Sequence, residues 1–111
     1  MEIRENDKVF ILAPLASKLG KKESSRIFES IESESRDIAL DLSYAQDCSL
    51  EFIEQLKCFA EKKCINIFNI PSDMFVIFNV MNIDKIAKFY VNELDFLTNK
   101  RQIINRNFVV V

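Results

Sequence analysis

The chain has 111 residues, a formal net charge of −2, and an apolar share of 49% that includes ten phenylalanines. That length suits a single domain spanning residues 1–111, able to bury roughly 65% of its unfolded surface without disulfide or metal staples. Interspersed charges leave no basic footprint for nucleic acid, and no apolar run approaches the ~18 residues of a membrane span. One glycine and two prolines argue against a loop-rich module. There is no histidine, which removes Ser-His-Asp and Cys-His catalysis and the commonest metal ligand. Cys48, Cys58 and Cys64 lack CxxC spacing and read as reduced thiols, with neither a disulfide framework nor a zinc site expected. The opening Met-Glu-Ile-Arg-Glu has no signal-peptide character, so a cytoplasmic, non-enzymatic protein without cofactor or metal is the expectation.

In chain order, Met1–Arg4 alternates apolar and polar residues, Glu5–Lys8 supplies a turn, and Val9–Ala13 is a continuous apolar run. This predicts a hairpin whose second strand is buried on both faces. Pro14 ends it, and a loop runs to Gly20. The spacing of Ile27, Phe28 and Ile31 predicts a helix over Lys21–Arg36 with one apolar face and an otherwise solvated surface. Ile38–Leu42 reads as a buried strand. Ser49–Lys63 reads as a stronger helix, with Phe52, Ile53, Leu56, Phe59 and Ala60 on one side. Cys64–Ile70 is rich in β-branched residues and predicts a strand closed by Pro71, with one of Cys58 and Cys64 expected in the core. Ser72 and Asp73 are candidate caps for a third helix through Asn82, packed by Phe75, Phe78 and Met81. A short strand over Ala87–Val91, a short helix over Asn92–Asn99 and a final strand over Arg106–Val111 complete the pattern. The fold class is therefore α/β, with a mixed sheet of four to five strands and helices packed on it.

The segment richest in chemistry joins Leu42 to the second helix: Ser43-Tyr-Ala-Gln-Asp47-Cys48-Ser49-Leu50-Glu51. A helix N-terminus favours anions through its free N–H groups and the macrodipole. Ser49 in that position is either an ordinary N-cap or a place to carry a phosphate, and the two are compatible. Asp47 is either a turn residue bonded to its own loop or an acidic neighbour of that phosphate. Cys48, near the same terminus, could be a redox sensor or a nucleophile, although no cation or resolving thiol is adjacent in sequence. Met74–Phe78 is apolar around much of its helix, which reads as core or as a self-association face that would give a homodimer.

The run of hairpin, helix, strand ending in Leu40-Asp-Leu-Ser43, Asp-x-Ser at a helix start, strand, Pro-Ser and helix resembles the STAS domain, the fold of sulphate-transporter and anti-sigma-factor-antagonist domains. The resemblance covers residues 1–97. Asp47-Cys48-Ser49-Leu50 aligns with the family's Asp-Ser-Ser-Gly, Cys48 and Leu50 being the departures. A further departure is Ala13-Pro14-Leu15-Ala16, where the family has Gly-Glu-Leu-Asp. In the anti-sigma factor antagonists of that family the second serine is phosphorylated by a partner that is both anti-sigma factor and kinase. The resemblance thus implies a bacterial transcription-regulating phosphoprotein with Ser49 as phosphoacceptor. It also implies that Asp47, Cys48, Ser49, Leu50 and Glu51 meet a kinase-like protein partner. The alternative it leaves is an unphosphorylated scaffold or oligomerising STAS domain within a larger signalling complex.

Overall fold

The computed structural model describes residues 1–102, so the strand expected over Arg106–Val111 lies outside the described residues. Seven strands and four α-helices follow one another as β1 (Glu2–Glu5), β2 (Val9–Ala13), β3 (Lys18–Leu19), α1 (Lys21–Ile31), β4 (Asp37–Asp41), β5 (Asp47–Cys48), α2 (Leu50–Lys62), β6 (Ile65–Phe68), α3 (Ser72–Val80), β7 (Lys88–Tyr90) and α4 (Glu93–Leu97). Five strands form one sheet in the order β1-β2-β4-β6-β7. The β1–β2 hairpin is antiparallel and every other pairing in that sheet is parallel, which is the mixed α/β sheet expected.

Parallel neighbours need long crossovers, and α1, α2 and α3 supply them. All three pack on one sheet face, made by Phe10, Leu12, Ile38, Leu40, Ile65, Ile67 and Phe89. Aromatic rings run through this layer in sequence. Phe28 of α1 lies 5.8 Å from Phe52 of α2, Phe52 lies 6.4 Å from Phe78 of α3, and Phe78 lies 6.0 Å from Phe89 of β7. The opposite face carries Ile11, Ala39, Phe68 and Tyr90 and receives Phe96 of α4. Strands buried on both sides explain why β2, β4 and β6 read as apolar runs.

Element ends differ from the sequence reading for local reasons. The first helix stops at Ile31, five residues before Arg36, because no apolar residue follows to extend its stripe. Instead Arg36 folds back on Glu34, donating from Nε at 2.9 Å and Nη2 at 2.7 Å. That fork holds the Glu34 carboxyl down at about 2. The sixth strand is shorter than Cys64–Ile70 because Asn69 takes φ 55°. At the third helix neither Ser72 nor Asp73 caps: Pro71 occupies the N-cap position and no side chain caps it. Cys58 and Cys64 are both exposed, and the partly buried thiol is Cys48, which corrects the core placement.

At the carboxyl end of the sheet one guanidinium gathers three carboxylates. Arg4 of β1 donates to Asp41 at 2.7 Å and also to Glu2 and Glu93. Asp41 is buried, and it further accepts from Asn69 Nδ2 at 3.1 Å and from the Ser43 N–H at 3.0 Å. Burial pushes the Asp41 carboxyl up, but the Arg4, Asn69 and Ser43 donors outweigh it and hold it below its ordinary range. A group depressed in the folded chain adds stability above its unfolded value, near pH 4, and loses it as pH falls through the folded value. Arg4→Met removes the main donor and leaves a buried carboxylate short of a partner, so urea unfolding at pH 7 should show a loss of about 1–3 kcal/mol. The stability lost on acidification below about pH 4 should also shrink in the variant, because Asp41 then titrates nearer its unfolded value, and an unchanged acid loss would show that Arg4 does not hold the Asp41 charge.

Candidate functional site

Between β4 and α2 the chain does not run as a plain connector. Asp47 and Cys48 form β5, paired in parallel with β3 so that Lys18 stands opposite Asp47 and Leu19 opposite Cys48. The Ser17 carbonyl accepts from Gln46 N at 2.7 Å and Asp47 N at 3.1 Å, and the Leu19 carbonyl accepts from Ser49 N at 3.0 Å. Sequence reasoning missed both short strands, since two residues carry no periodicity. The one available sign was the buried Leu19 among polar neighbours. These bonds fix the path of the loop and set where α2 starts.

Ser49 is the N-cap of α2, with extended backbone at φ −86° and ψ 168°, and its hydroxyl oxygen accepts from the Phe52 N–H at 3.4 Å. Ser49 is half-buried, with Asp47, Leu50 and Glu51 exposed around it. Leu50 is 61% exposed at the first helical position, an apolar side chain with no core to enter. Asp47 Oδ1 accepts from the Cys48 N–H at 2.8 Å, the turn-type bond expected of an aspartate in this loop. Of the five residues singled out from the sequence, Asp47, Leu50 and Glu51 are thus exposed, while Ser49 is half-buried and Cys48 packs against the core.

The charges around Ser49 are mixed. Glu51 lies in the first turn of α2, and its carboxyl is held below the ordinary range. Its own backbone N–H is the largest cause, followed by the Ser49 hydroxyl, with smaller help from Lys21 and Lys18. Two lysines therefore stand near the helix start, one across the β3–β5 pair and one at the head of α1.

Cys48 points the other way chemically. Burial, reinforced by the Asp47 charge, pushes its thiol up to about 11. A thiol so placed is protonated at neutral pH and is a poor nucleophile. The structure therefore gives the redox-sensor and nucleophile readings of Cys48 no support. Among the described residues no group of three or more His, Cys, Asp or Glu side chains is placed to hold a metal ion. No helix among them is long and apolar enough to cross a membrane. Compared with protein-family models and with curated proteins, the chain matches none.

Ser49→Ala should cost about 1 kcal/mol in urea unfolding, whereas Ser49→Asp, which keeps a capping oxygen, should stay close to wild type. Equal stability of all three would show that the 3.4 Å cap bond contributes nothing. For the thiols, iodoacetamide at pH 8 should modify Cys58 and Cys64 well before Cys48 in mass-resolved labelling. Labelling of Cys48 as fast as the other two would contradict its burial.

Proposed function

We propose that this chain is a regulatory protein-binding module of the STAS class, resembling an anti-sigma factor antagonist. Its partner is a protein that combines anti-sigma factor and serine kinase. That partner docks on Asp47–Glu51 and is released when Ser49 is phosphorylated. The observation that carries this reading is the position of Ser49: the N-cap of the helix after the second parallel strand, in an exposed loop at the carboxyl end of the sheet. The order of elements supports the class as well, from the antiparallel hairpin through three successive parallel additions. The chain itself is not an enzyme in this reading. ATP belongs to the partner, since a single glycine cannot build a phosphate-cradling loop.

Mechanistically, a phosphate on Ser49 brings roughly −1.5 to −2 charges to one point. Within the chain that charge is tolerable, because the free N–H groups of α2 and the ammonium groups of Lys18 and Lys21 offset Asp47 and Glu51. The cost falls on the complex. A partner surface already matched to Asp47 and Glu51, with an apolar seat for Leu50, meets a dianion that it must desolvate. A complete switch requires a difference on the order of 5 kcal/mol between the two complexes.

The second reading is an unswitched scaffold, and the solvent-facing side of α3 favours it. Val76 and Val80 are 61% and 73% exposed, more than a solvated helix face needs. A homodimer through that helix belongs to this reading.

Wild type, Ser49→Ala and Ser49→Asp used as matched baits in lysate of the source cells separate the two. A kinase-like protein captured by wild type and Ser49→Ala and lost with Ser49→Asp is the expected outcome. With ATP added, labelled phosphate should reach wild type and not Ser49→Ala. Identical capture by all three baits, with no label on Ser49, would sink the switch.

A further inference from the structure

The sheet face opposite α1, α2 and α3 is covered unevenly. Among the described helices only α4 packs there, over the carboxyl half of the strands, through Phe96 against Phe68 and Tyr90. Over the amino half lies a cavity of about 280 Å³ whose lining includes Lys8, Asp37, Asn66, Lys88, Tyr90 and Phe96. That volume is just below the ~300–1,000 Å³ usual for small-molecule sites.

Its floor is unusual for a strand buried on both sides. Asn66 lies in the middle of β6 and is only 4% exposed, a position where an apolar residue is the norm. Its Nδ2 donates to the Ile38 carbonyl at 2.8 Å, and its Oδ1 accepts from the Tyr90 hydroxyl at 3.2 Å. The Tyr90 proton is thereby committed to Asn66, which leaves the phenolic oxygen lone pairs able to accept from a ligand. Tyr90 and Phe96, ring centroids 5.4 Å apart and inclined at 69°, meet edge to face and supply an apolar corner. Lys8 and Lys88 bring two positive charges against the single carboxylate of Asp37, and both lysines are exposed.

We propose that this cavity binds a small aromatic carboxylate that also carries a hydrogen-bond donor. The ring lies against Phe96 and Tyr90, the donor reaches the Tyr90 oxygen, and the carboxylate is drawn toward Lys8 and Lys88. A purely structural role for the Asn66–Tyr90 pair, holding β4, β6 and β7 in register, would require neither the cavity nor the lysines. This site stands at the opposite end of the sheet from Ser49, and its success or failure is independent of the phosphoswitch.

The test is an amide-resolved NMR titration of the whole chain with 4-hydroxybenzoate, and with 4-hydroxybenzamide as its neutral match. Saturable shifts at Asn66, Lys88 and Phe96 are expected with the acid, and weaker binding with the amide. In Lys8→Glu/Lys88→Glu, affinity for the acid should fall about tenfold or more while the amide binds as before. Because both lysines are exposed, the double variant keeps the fold, which its spectrum away from the cavity verifies. Absence of saturable shifts with the acid would overturn the proposal, as would equal binding of the acid by wild type and the double variant.

Discussion

Parallel pairing of β2 with β4, of β4 with β6 and of β6 with β7 governs the rest of this molecule. Each such pairing obliges the chain to return the length of the sheet before it can pair again, and right-handed crossovers carry the returning helices to the same side. Three helices on one face follow from that single constraint. So does the position of the α2 start, on the carboxyl-end side of β4 beyond the short β5, where Ser49 caps the helix. The uneven cover of the opposite face is the remaining consequence, since among the described helices only the short α4 packs there.

Turning tightly with almost no glycine is the second problem that the chain has to solve. Among the described residues asparagine solves it three times: Asn69, Asn82 and Asn99 take φ 55°, 59° and 62°. Asparagine is the side chain that tolerates the left-handed region best after glycine. Asn69 does double duty, ending β6 and donating to Asp41. The turn after β6 and the charge cluster at the sheet end are therefore parts of one arrangement.

Much of this architecture was legible in the residues. The apolar runs at Val9–Ala13 and Ile38–Leu42 announce strands buried on both faces, and the Phe52–Leu56 stripe announces a helix. Ser49 is recognisable as a cap because it stands directly before that stripe. Less legible were features set by partners distant in sequence. Nothing local tells that Lys18 and Asp47 lie side by side, because their strands are two residues long. The helix that ends at Ile31 reads as longer because Glu34 and Arg36 suit a helix by propensity, but no apolar residue follows Ile31 and the two side chains pair with each other instead. Asn66 hid within an apolar run, and its meaning depends on Tyr90, 24 residues further on. Cys48 shows the same limit: its place near a helix start left an activated thiol open, and burial in the folded chain pushes the thiol the other way.

Arg4 and Glu93 are separated by 89 positions in the sequence, yet they meet at one guanidinium. The charged edge of β1 is therefore complete only when the segment beyond β7 has joined the fold. Contacts closed over such long stretches form late and slow the search for the native state. β1 is thus held twice over, by its local hairpin with β2 and by a charged contact that reaches across the sheet from the segment after β7.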